Sequence, residues 1–104
     1  EPARPHWRVL AGPGAGPHDI AAIARTLRAG HPHARIVADP AGGNLGKQLE
    51  RADRAGADLA VLVGADELAA GTLTVKALRT PGHAQQSATA DTLGAVADAL
   101  AHTS

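Results

Sequence analysis

The amino-acid sequence predicts a single α/β domain, in which helices cover both faces of a mixed sheet of about five strands in a three-layer α/β/α arrangement. Segments whose apolar residues recur with the period of a helix alternate along the chain with short segments typical of strands. With 104 residues, 44% of them hydrophobic, the chain has enough apolar material for one core. Because Trp7 is the only aromatic residue, Ala, Val, Leu and Ile must build that core.

The first strand follows a chain start that has no periodicity. Glu1–His6 contains two prolines and is predicted to be a linker or disordered arm, so that residues 7–104 form the domain. Trp7–Leu10 is short and apolar, as a strand would be. The chain contains no methionine, which is consistent with an excised piece of a longer protein.

A helix and a second strand are predicted next. The helix carries one apolar stripe, formed by Ile20, Ile23, Ala24 and Leu27. Gly30 is expected to be its C-terminal cap, and Pro32 prevents the helix from continuing. Ala34–Ala38 has the composition of a strand, which Asp39-Pro40 would end.

The middle of the chain predicts a second helix and a buried strand. Asn44 is a good N-cap, and Gly56 would end the helix. The apolar face of this helix consists of Leu45, Leu49 and Ala52. Leu59–Val63 is continuously apolar, which is typical of a strand that is buried on both faces.

The last third predicts a small antiparallel end and a final helix. The residues ADEL (65–68) form a short helical turn ending at Gly71, and Thr72–Leu78 alternates between apolar and polar residues. A turn at Pro81-Gly82 leads to a weak strand at Gln85–Ala88. Thr89 is expected to cap a helix whose apolar face contains Leu93, Val96, Ala97 and Leu100.

The glycine-rich segment VLAGPGAGPHDI between the first strand and the first helix raises the question of a phosphate-binding loop. A dinucleotide fingerprint that starts at Gly12 needs glycine at position 17, which is proline. A P-loop needs Gly-Lys-Ser/Thr where this chain has Pro17-His18-Asp19, and Asp19 would repel a phosphate. The segment is therefore predicted to be a strand-to-helix connection.

Composition argues against several classes of function. Ten basic and ten acidic residues give no net attraction to nucleic acid or anionic membrane. The absence of cysteine excludes disulfides and thiolate metal sites and fits an intracellular protein, and no apolar stretch approaches membrane-spanning length. His31-Pro32-His33 invites a metal hypothesis, but side chains around a proline rarely converge on one ion, so no metal site is predicted. Ser87 and Ser104, the only serines, lie in no nucleophile motif, and no catalytic site is predicted.

The segment AGGNLGKQLERADRAGADLAVLVGADELAAGTLTVKALRT resembles the C-terminal anticodon-binding domain of the histidyl-tRNA synthetases, which are class II aminoacyl-tRNA synthetases. In that family a glycine-rich turn enters a helix of the type K-Q-x-x-x-A-D-x-x-G. A buried strand ending in glycine follows, then an acidic turn, then G-T-x-x-V-K-x-L-R. The matching residues are Gly42-Gly43-Asn44, Lys47-Gln48, Ala52-Asp53, Gly56, Gly64, Asp66-Glu67, Gly71-Thr72, Val75-Lys76 and Leu78-Arg79.

The resemblance implies a function that this chain shares with a larger protein. The domain would recognise the anticodon stem-loop of a tRNA, within a cytoplasmic histidine–tRNA ligase or a synthetase-like protein. ATP and histidine would bind a separate catalytic domain, so this chain alone is expected to hold no cofactor and to perform no ligation. No membrane partner is expected, and any homodimer would form through the parent chain.

The resemblance also indicates the residues that would touch RNA. Asn44, Glu67 and Lys76 match positions that contact anticodon bases in the related threonine and proline enzymes. Such loops are read by hydrogen bonds to base edges and by phosphate contacts. Lys47 and Arg51 lie, with Arg54, on one basic helical surface suited to phosphates. A structural interpretation stands beside each: Asn44 as a helix cap, Glu67 as a solvated carboxylate, Lys76 as a solvent-facing strand residue and the basic surface as a solvated helix face.

Two other functions remain open at this point. The neutral net charge is compatible with a repurposed copy of the domain that serves protein–protein interaction or dimerisation without binding RNA. An exposed apolar patch would favour that hypothesis. A continuous basic strip would argue against it, if it joined Lys47, Arg51, Arg54 and Lys76. A small nucleotide-binding enzyme would require that Gly12–Gly16 hold a phosphate.

Overall fold

A five-stranded mixed sheet forms the centre of the molecule. The computed structural model describes residues 4–39, 42–80 and 82–101. The strands in chain order are β1 (His6–Ala11), β2 (Arg35–Ala38), β3 (Leu59–Val63), β4 (Leu73–Ala77) and β5 (Gln85–Ala88). Their order in space is β2-β1-β3-β4-β5, with β2, β1 and β3 parallel and β4 and β5 antiparallel to their neighbours. The predicted mixed sheet is confirmed.

Helices cover both faces of this sheet, as the sequence predicts. They are α1 (Pro17–Gly30), α2 (Leu45–Arg54), α3 (Ala65–Ala70) and α4 (Leu93–Ala101). On one face, α1 and α4 pack Ile20, Leu27 and Leu93 against strand residues such as Val61 in the larger core cluster. On the other face, the residues of α2 pack in a smaller cluster that includes Leu10, Ala52, Ala60 and Leu78. None of the helices in the described part of the chain has the length and apolarity needed to cross a bilayer.

The face that α2 covers is apolar at Leu10, Ala60 and Leu62 and polar over β4 and β5. Because side chains alternate along a strand, the residues opposite Ala60 and Leu62 on β4 share their face. These residues are Lys76 and Thr74, and both are half-buried. Their partners on β5 are exposed and polar, namely Gln85 and Ser87. The sheet therefore presents a polar strip beside α2.

Besides shifts of one residue at ends of β1, β2 and β4, three predicted assignments differ from the structure. His6, assigned to the arm, is the first residue of β1 and is buried. Gly30 is the last residue of α1 and not its cap, because the N–H of His31 still donates to the Leu27 carbonyl and His31, with φ −135° and ψ 65°, is the residue that leaves the helical conformation. Thr89 bonds reciprocally with Thr92 in the preceding turn, and α4 begins only at Leu93. The predicted roles of Pro40 and Pro81, and residues 1–3 of the arm, lie outside the described residues.

The glycine-rich segment after β1 is a strand-to-helix connection that packs on the connection after β3. The N–H of Gly12 donates to the Val63 carbonyl at 2.9 Å, and the N–H of Ala65 donates to the Pro13 carbonyl at 2.9 Å. Gly14 has a φ of +86°, and a Cβ there would lie 2.6 Å from the Cβ of Ala65. The glycine at position 14 thus permits the close approach of two loops.

The paired histidines before β2 pack against the tryptophan. The ring centroids of His31 and His33 lie 5.2 and 5.9 Å from that of Trp7, in edge-on orientations. Trp7 itself is buried in the core on the α1 side. Edge-on aromatic pairs of this kind add stabilisation beyond the area they bury, so these rings have a structural role.

Candidate nucleic-acid interface

Two of the predicted site residues lie at one edge of the sheet. Because β2, β1 and β3 are parallel, the segments that follow β2 and β3 leave the sheet at the same edge. Asn44 precedes α2 in the first of these segments, and Glu67 is the third residue of α3 in the second. Lys76 lies opposite Ala60, the second residue of β3, and therefore stands nearer the other end of the sheet.

Asn44 caps α2 with its oxygen and keeps its amide group available. Its Oδ1 accepts a hydrogen bond from the backbone N–H of Lys47 at 2.9 Å, which confirms the predicted N-cap. The residue is exposed, and its side-chain NH₂ has no partner among the described residues. One end of the amide is therefore structural, while the other can donate to a ligand.

Arg51 forms an ion pair inside the protein. Its Nε donates to Oδ1 of Asp39 at 3.1 Å, and its Nη2 donates to Oδ2 at 2.8 Å. The side chain of Asp39 is 1% exposed and that of Arg51 is 32% exposed. The carboxylate raises the pKa of Arg51 above its ordinary value, because two charge-assisted hydrogen bonds favour the charged guanidinium.

The basic surface predicted on α2 is therefore divided. Arg51 turns toward the end of β2, whereas Lys47 and Arg54 remain exposed. On the side toward β4, the carboxylate of Asp53 pairs with the guanidinium of Arg79. The two ion pairs thus interrupt the basic surface of α2, on which Lys47 and Arg54 are the exposed cations without an ion pair among the described residues.

The backbone before Asn44 is fixed by side chains that lie on other elements. Gly42 donates its N–H to Oδ2 of Asp39 at 2.8 Å, and its carbonyl accepts from Nη2 of Arg51. Gly42 and Gly43 have φ values of +66° and +92°, a region in which side chains other than glycine are strained. The turn that enters α2 is consequently held at both polar atoms of Gly42.

Gln48 is a functional support that the sequence reasoning did not single out. Its side chain is fully buried; Oε1 accepts from the N–H of Ala11 at 2.9 Å, and Nε2 donates to the carbonyls of Ala11 and Gly43 at 2.8 and 3.0 Å. The signal was present in the sequence, because position 48 falls on the apolar face of α2 that the predicted stripe defines. A polar residue at such a position must find its partners inside the protein.

Glu67 links α3 to β4. Its Oε1 accepts from the N–H of Gly64 at 2.8 Å, and its Oε2 accepts from the hydroxyl of Thr74 at 3.0 Å. These bonds, the backbone bond from Gly64 above all, lower the pKa of Glu67 below its ordinary value of 4.5. The carboxylate is therefore an oriented, ionised acceptor and not a freely solvated one.

The lowered pKa of Glu67 predicts a pH dependence of stability. The folded state binds the proton of Glu67 less tightly than the unfolded state does, so the contribution is complete above pH 4.5 and is lost as the pH falls through the folded pKa. We expect wild type to exceed Glu67→Gln in free energy of unfolding at pH 7, and this difference to shrink as the pH is lowered below 4.5. Urea unfolding of both proteins measures it.

Thr74→Val is the matched variant, because valine has the shape of threonine without the hydroxyl. It should leave the bond between Glu67 and the Gly64 N–H intact, and the loss of stability in acid should then begin closer to pH 4.5. A difference between wild type and Glu67→Gln that does not change with pH would contradict the role assigned to these bonds.

A cleft lies beside Asn44, between the connections after β1 and β2. Its volume is about 530 Å³, within the range of small-molecule pockets. The lining is mainly apolar and includes Pro13, Ala15, Pro17 and Leu45, with Asn44 among the polar residues. A flat, partly apolar group with hydrogen-bonding edges would match such a surface.

Comparison with known proteins gives a consistent result. A family model described as "Anticodon binding domain" matches residues 17–98. The RNA-binding domain structure of threonyl-tRNA synthetase from Cryptosporidium parvum Iowa II is similar, with a TM-score of 0.75 at 14% identity over 93% of this chain and 24% of that one. Histidyl-tRNA synthetase from Nostoc sp. PCC 7120 gives 0.71 at 20% identity, over 93% and 23% of the two chains. The apo S. aureus histidyl-tRNA synthetase gives 0.70 at 19% identity, over 89% and 26%.

These solved structures share the fold with this chain, which spans about a quarter of their length. The family model covers most of the described residues, including α1 to α3 and all strands but β1.

Proposed function

The chain belongs to the family of anticodon-binding domains, and from this premise we propose that it recognises the anticodon loop of a tRNA, within a histidine–tRNA ligase or a synthetase-like protein. The observation that carries the proposal is the position of Asn44 and Glu67, which follow two parallel strands at one edge and present a free amide group and an oriented carboxylate. Neutral donors and charged acceptors of this kind read the edges of unpaired bases.

Each proposed contact has a distinct chemistry. The NH₂ of Asn44 donates to a base carbonyl or ring nitrogen. Glu67 has a second lone pair on each oxygen and accepts from base amino or imino groups while keeping its protein partners. Lys76 on the polar strip and Lys47 at the start of α2 form no ion pair within the described residues, and they supply charge for phosphates.

Recognition of the tRNA and catalysis would belong to two different parts of a parent protein. The residues on this chain orient the tRNA, and a catalytic domain elsewhere would bind ATP and histidine. We place the parent protein in the cytoplasm, with this chain from β1 onward as the recognition domain and any homodimer formed through the catalytic part.

A second candidate is a repurposed domain that binds a protein partner and no RNA. The observation in its favour is the ion pair of Arg51 with Asp39, which removes one cation from the predicted basic surface of α2. Against it, Leu68 is the one large hydrophobic residue exposed in the described part of the chain, so no extended apolar patch is available.

Fluorescence anisotropy with labelled stem-loops tests the proposal. We expect the 104-residue chain to bind a loop with the histidine anticodon GUG more tightly than a loop with all three bases changed, at about 50 mM salt, where phosphate contacts are strong. Replacing Asn44 with serine keeps an N-cap acceptor but removes the amide donor, so we expect a reduction in this preference of about fivefold, the lower end of what one base contact contributes.

Controls separate base reading from charge. Lys76→Ala and Arg25→Ala remove one positive charge each, but Arg25 is exposed on α1, which covers the opposite face of the sheet. Only Lys76→Ala should weaken binding. A loop with the threonine anticodon GGU tests amino-acid identity, and equal affinity for all three loops would contradict anticodon reading.

A further inference from the structure

We infer that Arg51 is a positioning residue, which together with Asp39 fixes Gly42 and thereby the orientation of Asn44, and that this role requires no contact with RNA. The inference rests on the proposed function and changes the role that the basic pattern of α2 assigns to this arginine. It predicts that the strength of base discrimination depends on the fork geometry of this arginine and not on its charge alone.

The guanidinium of Arg51 already has hydrogen-bond partners within the protein. Two of its nitrogens bind the two oxygens of Asp39, in the fork geometry that lysine cannot reproduce. A phosphate that drew the whole guanidinium outward would have to pull it away from a carboxylate whose side chain is 1% exposed. Leaving that charge buried without its partner is strongly unfavourable, so the pair is retained when RNA binds.

The same ion pair also binds the backbone of the turn before α2. Asp39 accepts from the N–H of Gly42, and Arg51 donates to its carbonyl, so both polar atoms of one peptide residue are held. The carbonyl of Gly43 is held in turn by Gln48. Asn44 is the next residue, and its direction is therefore set by a turn that glycine alone would leave flexible.

Salt dependence separates a positioning role from a phosphate contact. For single-stranded nucleic acid, each phosphate contact adds about 0.7 to the slope of log affinity against log salt concentration. Anisotropy is measured between about 50 and 200 mM salt with the GUG loop and the changed loop. The proteins are wild type, Arg51→Lys, Asp39→Asn and Lys47→Gln, at a temperature at which circular dichroism shows each to be folded.

Arg51→Lys keeps the charge and loses the fork. We expect the preference for GUG to fall about fivefold with no change in salt slope, and to fall no further when Asn44→Ser is already present. Lys47→Gln is the matched control on the same helix, and should reduce the slope by about 0.7 for both loops without altering the preference. Asp39→Asn releases Arg51 toward solvent and should also lower the preference.

Three results would overturn the inference. If Arg51→Lys retains the full preference for GUG, Arg51 does not position Asn44. If the effects of Arg51→Lys and Asn44→Ser simply add, Arg51 does not act through Asn44. If wild type itself binds both loops equally, the proposed function fails and the positioning role fails with it.

Discussion

Replacing Gln48 with leucine is expected to lower the free energy of unfolding by about 3 kcal/mol, because the N–H and carbonyl of half-buried Ala11 lose their partner, at about 1–3 kcal/mol for each backbone group shielded from water, and the carbonyl of Gly43 loses its bond as well. The position of Gln48 beside the end of β2 explains why its side-chain amide is needed. β2 ends at Ala38, and the N–H of Asp39 makes the last backbone bond to β1, at Val9. Two residues further along β1, the backbone N–H and carbonyl of Ala11 bind the side chain of Gln48, which takes the place of the next backbone partner in the sheet.

Urea unfolding measures this change, with Glu50→Leu as the matched variant. Glu50 is exposed on the same helix, so its replacement by leucine should alter stability by no more than about 0.5 kcal/mol. Gln48→Glu keeps the length of the side chain but turns a carboxylate oxygen toward two carbonyls, and it should also destabilise. A Gln48→Leu midpoint equal to that of wild type would refute the assignment.

Gly14→Val should also lower the free energy of unfolding by about 3 kcal/mol. A β-branched residue at φ +86° is strained by about 1–2 kcal/mol, and its Cβ would start only 2.6 Å from the Cβ of Ala65. Overpacking of this kind adds about 1–3 kcal/mol. The change would separate the connections after β1 and β3, which are joined by two backbone bonds.

A double-mutant cycle divides this loss into its two causes. Ala65→Gly removes the atom that a side chain at Gly14 would meet. Combined with Gly14→Ala, it should restore the part of the free energy of unfolding that is lost to the steric clash, and the remaining loss is then due to the strained φ at position 14. Gly30→Ala serves as the comparison, because a Cβ there meets nothing within 4 Å. It should leave stability unchanged or raise it by up to about 1 kcal/mol. Equal losses for Gly14→Ala and Gly30→Ala would contradict the close-packing explanation.

Local patterns were sufficient to predict most of the fold. The continuous run Leu59–Val63 indicated a strand with two buried faces, and β3 lies in the middle of the sheet. The N-cap at Asn44 depends only on residues within one turn, and it was therefore visible in the sequence. Gly30 was assigned the wrong position because its residue type favours a cap, whereas the hydrogen bond from His31 decides where the helix ends.

The contacts that support the site were beyond such patterns. Asp39 and Arg51 are separated by 12 residues, and nothing local pairs them. Gln48 meets Ala11 across 37 residues, a contact that exists only after α2 has packed on β1. The residue types that face a ligand could be proposed from the sequence. The division between residues that point outward and residues that hold the backbone required the fold.

That division has a consequence for how the domain can diverge. The supporting side chains of Gln48, Asp39 and Arg51 bind mainly main-chain atoms, whose chemistry is the same for every residue type. Exchanges at Lys76, and at Asn44 among residues that can also cap a helix, leave these bonds intact and should alter stability little. A lineage could therefore acquire a new ligand preference in single substitutions, without passing through unfolded ancestors.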